Sequence, residues 1–329
     1  MSIASEPRPA RLRAPKRAGG TAQLRLPPPV VRLSAAQLGR RVLNPQLPWD
    51  VQRRRLSQLM RPWPVPRGTH VTETALNGVI AEVVTVGRPC DGRTVVHFHG
   101  GGYCVGSPGL ARTWAAQLSA RAGCRVVLPD YRLAPEHPYP AALDDARAVI
   151  NAVLGEAVPA SVVVSGDSAG GGLALAVAMD RRDAVRKDPA TERIVGCILI
   201  SPWLDLSTDR NARPHLVERD VLLSPGWLNA CAAAYAPPPL WTDPSVSPLL
   251  AAHDGLPPLL IQSGADDVLA PDAERMAASA DAAGVDVTCT RWPRLWHCFA
   301  LQPGLLAAAD KAVAQAAWFV RQVTGSSAC

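Results

Sequence analysis

No stretch of this chain is apolar for long enough to cross a bilayer as a helix, so no stable membrane insertion is expected. Neither a C-x-x-C pair nor a zinc-like cysteine cluster occurs among the eight cysteines, and no metal site is expected. Several of those cysteines sit in apolar surroundings as small core residues, which points to a reduced, cytoplasmic protein. There is no G-x-G-x-x-G and no Walker lysine, so the glycine clusters are not a nucleotide cradle and no cofactor is called for. Acidic residues are scarce at the N-terminus, where Arg8, Arg11, Arg13, Lys16, Arg17 and Arg25 face only Glu6. Much of the net charge of +6 sits there, and no basic patch interleaved with aromatics follows, so a nucleic-acid partner is not expected. That tail has no apolar segment of the kind a secretory signal needs, and Arg40-Arg41 has none after it, which argues against export by the twin-arginine route. Phenylalanine is nearly missing, at three residues against nine tryptophans.

What is there suits a soluble globular enzyme. The 329 residues, 48% hydrophobic and 19% charged, are enough for one large α/β domain with a lid. Residues 1–29 read as a disordered, basic, proline-rich tail ended by Pro27-Pro28-Pro29. Residues 30–68 read as two short helices of an N-terminal cap, one capped by Ser34 with Leu33, Leu38, Val42 and Leu43 on a face, the other over 50–60. Asn77-Gly78 between 69–76 and 79–86 is a strong hairpin signal. Strand and helix patterns then alternate: strands at 94–98, 125–128, 162–165, 194–200, 259–262 and 285–292, with helices at 111–121, 141–154, 169–186, 272–283 and 305–322. An opening hairpin followed by this alternation predicts a mostly parallel eight-stranded sheet with helices on both faces. The stretch 202–258 breaks the alternation. Rich in Pro and Trp, with Ser224-Pro225 as a helix start, it reads as a cap insertion that packs on the N-terminal helices. It divides the core into 69–201 and 259–329.

The chain is organised around Ser161 to Gly172. A run of β-branched residues stops at Gly166, a helix-compatible run starts at Ala169, and Ser168 stands between glycines two positions away on either side. This is G-x-S-x-G between a strand and a helix, a turn so sharp that the serine hydroxyl is pushed out beyond the sheet. A serine needs a base, a group to orient that base, and donors for an oxyanion. The donors are expected from His97-Phe98-His99-Gly100-Gly101-Gly102-Tyr103, at the end of a strand, where bare backbone can approach a carbonyl. The N–H groups of Gly100, Gly101 and Ala169 are assigned to the oxyanion hole. His297 is the base, because of seven histidines it alone lies on a late loop between the last strand and the last helix. The acid comes from Asp266-Asp267, with Asp267 preferred because it precedes Val268-Leu269 and a helix, and Asp272 taken as that helix's cap. Tyr103, Asp167, Trp203 and Leu204 are the expected substrate-binding residues. Trp49, Trp227, Trp241 and Trp296 are further candidates for pocket walls.

These motifs together resemble the hormone-sensitive-lipase family of α/β-hydrolase esterases, the bacterial family IV. The resemblance is carried by His99-Gly100-Gly101-Gly102, Asp130-Tyr131-Arg132-Leu133-Ala134-Pro135-Glu136, Gly166-Asp167-Ser168-Ala169-Gly170-Gly171, Asp267-Val268-Leu269 and His297-Cys298-Phe299. It runs from about Val71 to the C-terminus. It implies hydrolysis of small, short- to medium-chain carboxylic esters through an acyl-enzyme, without a cofactor, and a helical cap. It also gives residues 130–136 the role of a structural support beside the oxyanion loop. A homodimer is allowed for. A ligand-binding receptor on the same scaffold is the second reading, since the gibberellin receptors resemble this family but lack the histidine that is kept here as His297. An amidase or deacetylase with the same triad is the third.

Overall fold

The computed structural model describes residues 25–59, 65–90, 92–156, 161–191 and 194–325. Most of the expected tail lies outside these. The first helix, α1 (Pro28–Val42), starts earlier than expected. Pro28 and Pro29 occupy its first turn, where a missing N–H costs nothing and a fixed φ favours the helix, so the proline run opens this element instead of ending a tail. Ser34 is therefore mid-helix and not a cap, its hydroxyl donating back to Val30 O at 3.2 Å. The buried face of α1 is Val31, Ala35 and Val42, whereas Leu33 is exposed. A short turn leads to α2 (Trp49–Leu59).

Asn77 and Gly78 both take positive φ, 47° and 87°, as a two-residue turn of type I′ requires. They join β1 (Thr69–Leu76) to β2 (Val79–Val86) in antiparallel register, with Leu76 opposite Val79. The alternating part follows as β3 (Arg93–Phe98), α3 (Arg112–Ala122), β4 (Arg125–Pro129), α4 (Ala141–Leu154), β5 (Ser161–Asp167), α5 (Ala169–Lys187) and β6 (Ile194–Ile200). After the insertion, which holds α6 (Pro214–Arg219) and α7 (Pro225–Tyr235), come β7 (Leu259–Gly264), α8 (Ala270–Ala282), β8 (Val287–Trp292) and α9 (Ala307–Val323). The sheet runs β1-β2-β4-β3-β5-β6-β7-β8. β2 is antiparallel to both its neighbours, and every pair from β4 to β8 is parallel. All the loops that follow the parallel strands therefore open at one edge.

Strand alternation fills two cores. Val162 and Val164 of β5 belong to the core that also takes in buried residues of α4, α5 and α8, while Val163 belongs to the one with those of α1, α3 and α9. Each of these fully buried valines contributes about 1.5–3 kcal/mol relative to exposure. Ser224 caps α7 as expected, accepting from Trp227 N at 3.2 Å. Asp272 is not a cap. It lies inside α8, fully buried, where it pairs with Arg210 at 2.7 Å and accepts from Leu204 N at 3.0 Å, fastening the start of the insertion to the core.

The all-thiol reading of the cysteines does not hold, because Cys90 is disulfide-bonded. Cys104, Cys124, Cys197 and Cys231 are free and buried. No helix among the described residues is long and apolar enough to cross a membrane.

Candidate active site

Ser168 stands at the junction of β5 and α5 with φ 53° and ψ −122°, a backbone that side chains rarely adopt. The two flanking glycines make it attainable. A Cβ on Gly166 would lie 2.0 Å from Gly170 O, and one on Gly170 would lie 2.0 Å from Phe98 O. The turn is locked on its far side by Ser168 N donating to Ile200 O and by Trp203 N donating to Ser168 O. Ala169 is the first residue of α5, so its N–H has no partner within the helix.

The loop after β3 passes directly over this turn. Asp167 ties the two together: its Oδ1 accepts from Gly100 N at 3.0 Å and lies 3.1 Å from His97 Nε2. The N–H of Gly100 is thus engaged. Among the described residues, those of Gly101 and Gly102 make no backbone hydrogen bond. The loop is propped from beneath by residues 130–136. Tyr131 stacks on His99 at 4.3 Å and donates to His99 O at 2.7 Å, and Ala134 N donates to Tyr103 O at 2.9 Å. Burial forces the His99 imidazole down to about 4, so it is neutral.

His297 follows β8, and its Nδ1 lies 3.1 Å from both oxygens of Asp267, on the loop after β7. Asp267 is fully buried and also accepts from Leu269 N at 2.8 Å. Asp266 points elsewhere, into an ion pair with Arg32 of α1 at 3.0 Å. Burial opposes a charge on His297. The Asp267 carboxylate outweighs this through its charge and hydrogen bond, with Asp220 and Asp167 behind it, and holds the imidazole above its ordinary value. The other ring nitrogen, Nε2, lies 3.2 Å from Cys298 Sγ. Burial, then the nearby Asp167 and Asp267 charges, push that thiol well above its usual range, so it is a neutral group.

Ser168, His297, Asp167, Gly100, Gly101 and Cys298 line one cavity of about 340 Å³. Its remaining wall is largely aliphatic, with Val31, Leu43 and Leu56 from the N-terminal segment, Leu222, Leu223 and Trp227 from the insertion, and Val105, Leu110, Arg112, Thr113, Leu301 and Leu305 from the core. Three expected substrate-binding residues are not on it. Tyr103, Trp203 and Leu204 are buried behind the wall, with Tyr103 stacked on Tyr235 at 3.8 Å and Trp203 donating to Asp205 O at 3.3 Å. Asp167 reaches the cavity, with its Oδ1 committed to the oxyanion loop. Of the five candidate tryptophans only Trp227 lines it. Asp220 lies outside the motifs that mark the site in the sequence. Its side chain is buried, and burial together with the Asp267 charge pushes its carboxyl up to about 6. Among the described residues no group of three or more His, Cys, Asp or Glu is placed to hold a metal ion.

A family model described as the alpha/beta hydrolase fold matches residues 95–301. An acetyl-hydrolase of Streptomyces hygroscopicus is 37% identical over 254 residues, 74% of this chain and 83% of that protein. An esterase of Acinetobacter venetianus is 33% identical over 266 residues, 80% and 86% of the two chains. The crystal structure of an esterase from the bacterial hormone-sensitive lipase family superposes with a TM-score of 0.82 at 30% identity, covering 91% of this chain and 100% of that one.

Proposed function

This chain belongs to the α/β-hydrolase fold family, among the esterases of its hormone-sensitive-lipase branch, and from that membership we propose how its residues hydrolyse a carboxylic ester. Ser168 is the nucleophile, His297 the general base and Asp267 the group that orients it. The observation that carries this reading is the shared cavity: a serine on a left-handed elbow opens into the same space as an imidazole whose far nitrogen is held by a buried carboxylate.

With Nδ1–H donated to Asp267, the lone pair of His297 is on Nε2. Ser168 Oγ attacks the ester carbonyl and passes its proton to Nε2. The position beside Nε2 that Cys298 Sγ occupies at rest is taken by the hydroxyl during this step. The developing oxyanion lies against the N–H groups of Gly101 and Ala169. The N–H of Gly102, next along the loop, completes the set in place of the engaged Gly100. The imidazolium returns its proton to the departing alkoxide, and water repeats the sequence on the acyl-enzyme. Asp167 acts by anchoring the oxyanion loop, not by touching substrate.

The acyl group enters the aliphatic cavity. The name of the Streptomyces relative supports acetyl esters, and a space of about 340 Å³ with so few polar walls supports neutral acyl chains several carbons longer. Ser168→Ala is expected to reduce hydrolysis of p-nitrophenyl butyrate by about a thousandfold or more, with the fold intact by circular dichroism. An organophosphate should label the wild type once per chain, at Ser168. Retention of most of the activity in the variant refutes the assignment.

A further inference from the structure

Asp267 is the middle residue of a tripeptide whose two neighbours are both held by cap segments. On one side Asp266 pairs with Arg32 of α1 at 3.0 Å, and the same guanidinium donates to Arg219 O at 2.6 Å. On the other side Val268 N donates to Asp220 Oδ2 at 2.9 Å. The second oxygen of Asp220 accepts from Leu222 N at 2.8 Å and Leu223 N at 3.0 Å, and the side chains of both leucines form the cavity wall. α1 presses on this same segment: a Cβ on Gly39 would lie 2.7 Å from Leu222 O. One buried carboxylate therefore fixes the substrate wall and the loop of the orienting acid at once.

Resting on the reading of Ser168, Asp267 and His297 given above, we propose that Asp220 is a positioning residue of this esterase, coupling the acyl-binding wall of the cap to the acid limb of the triad, with Arg32 as its outer counterpart. Asp220 touches neither substrate nor the reacting atoms. It acts through Asp267 by holding the backbone on which that carboxylate sits, and through His297 by adding negative charge to its surroundings. The titratable groups it faces are Asp267 on the acid loop and His297 and Cys298 on the loop after β8, and Arg32 of α1 reaches the carbonyl of the preceding residue, Arg219.

The substitution Asp220→Asn separates the parts. One amide oxygen can still accept from Leu222 and Leu223, but the amide nitrogen cannot accept from Val268, and the charge is gone. The expected result is a fall in kcat of about 10- to 100-fold on p-nitrophenyl butyrate, per site titrated with organophosphate. Losing a carboxylate near the imidazole should also move the acid limb of the kcat/KM profile about half a unit or more to lower pH. Asp220→Glu should recover the position of the limb better than it recovers kcat. Arg32→Gln, on a partly exposed side chain, keeps the test open if the Asp220 variants do not fold. It should lower kcat as well, and the preference between acetyl and hexanoyl esters should change with it. An Asp220→Asn enzyme, or an Arg32→Gln enzyme standing in for it, with wild-type kcat and an unmoved acid limb overturns the proposal. A wild type that hydrolyses no ester, or does so without Ser168, would instead overturn the reading beneath it.

Discussion

Each residue of the site is defined by what its neighbours leave free. The sequence shows three consecutive glycines after a strand. It cannot show that the first N–H is spent on Asp167, because that depends on a side chain from another strand end. Ser168 and His297 were legible, since the elbow demands small residues at fixed spacing and the histidine lies on the one suitable late loop. The choice between Asp266 and Asp267 rests on direction: the first faces Arg32 at the cap, the second faces His297. Trp203 follows the end of β6 closely in sequence, yet its ring packs into the core, where proximity along the chain says nothing of orientation. One prediction belongs at this scale. As the proposed base His297 must be neutral to accept a proton, and its carboxylate neighbours hold it above the ordinary histidine value of 6.5. The acid limb of kcat/KM for p-nitrophenyl butyrate is therefore expected above pH 6.5, with activity rising as pH increases through it. A limb below that value would contradict the weight given to Asp267.

At the scale of elements, strands and core helices were readable because their periodicity is enforced by two packed faces. The cap was readable as an interruption, but its contacts were not, since they rely on polar side chains reaching carbonyls far along the chain. Arg53 of α2 is the clearest case. It donates to Cys104 O at 2.8 Å and Ala134 O at 2.7 Å, and pairs with Glu136, so one cap helix grips the oxyanion loop and its prop together. Gln52, next to it, accepts from Trp227 Nε1 at 2.9 Å and joins α2 to α7. Arg53→Ala would leave carbonyl groups without donors and should cost about 1–3 kcal/mol. Thermal unfolding should fall by several degrees, and kcat should fall with it as the oxyanion loop loosens. A variant with lower stability but full kcat per titrated site would show that the grip matters to folding alone.

The whole molecule is a sheet whose active edge is closed by two segments far apart in sequence. The mostly parallel, eight-stranded sheet was visible in the alternation of patterns. The start of α1 was not, because a proline run looks like an ending when it is a first turn. The disulfide at Cys90 was invisible too, since the eight cysteines carry no spacing signature that marks a pair. Thermal unfolding with and without dithiothreitol tests it: reduction should lower stability by about 2–4 kcal/mol. Because Cys90 lies outside the cavity lining, kcat at 25 °C should be nearly unchanged. An identical unfolding temperature in both conditions would argue against a structural bond. The double attachment of the acid loop, to Arg32 from α1 and to Asp220 from the insertion, has a consequence for chimeras. Grafting a foreign cap onto this sheet would import new selectivity only if the donor supplied a matching cation and carboxylate. Without them, the transplant would inherit a catalytic edge with its third member adrift.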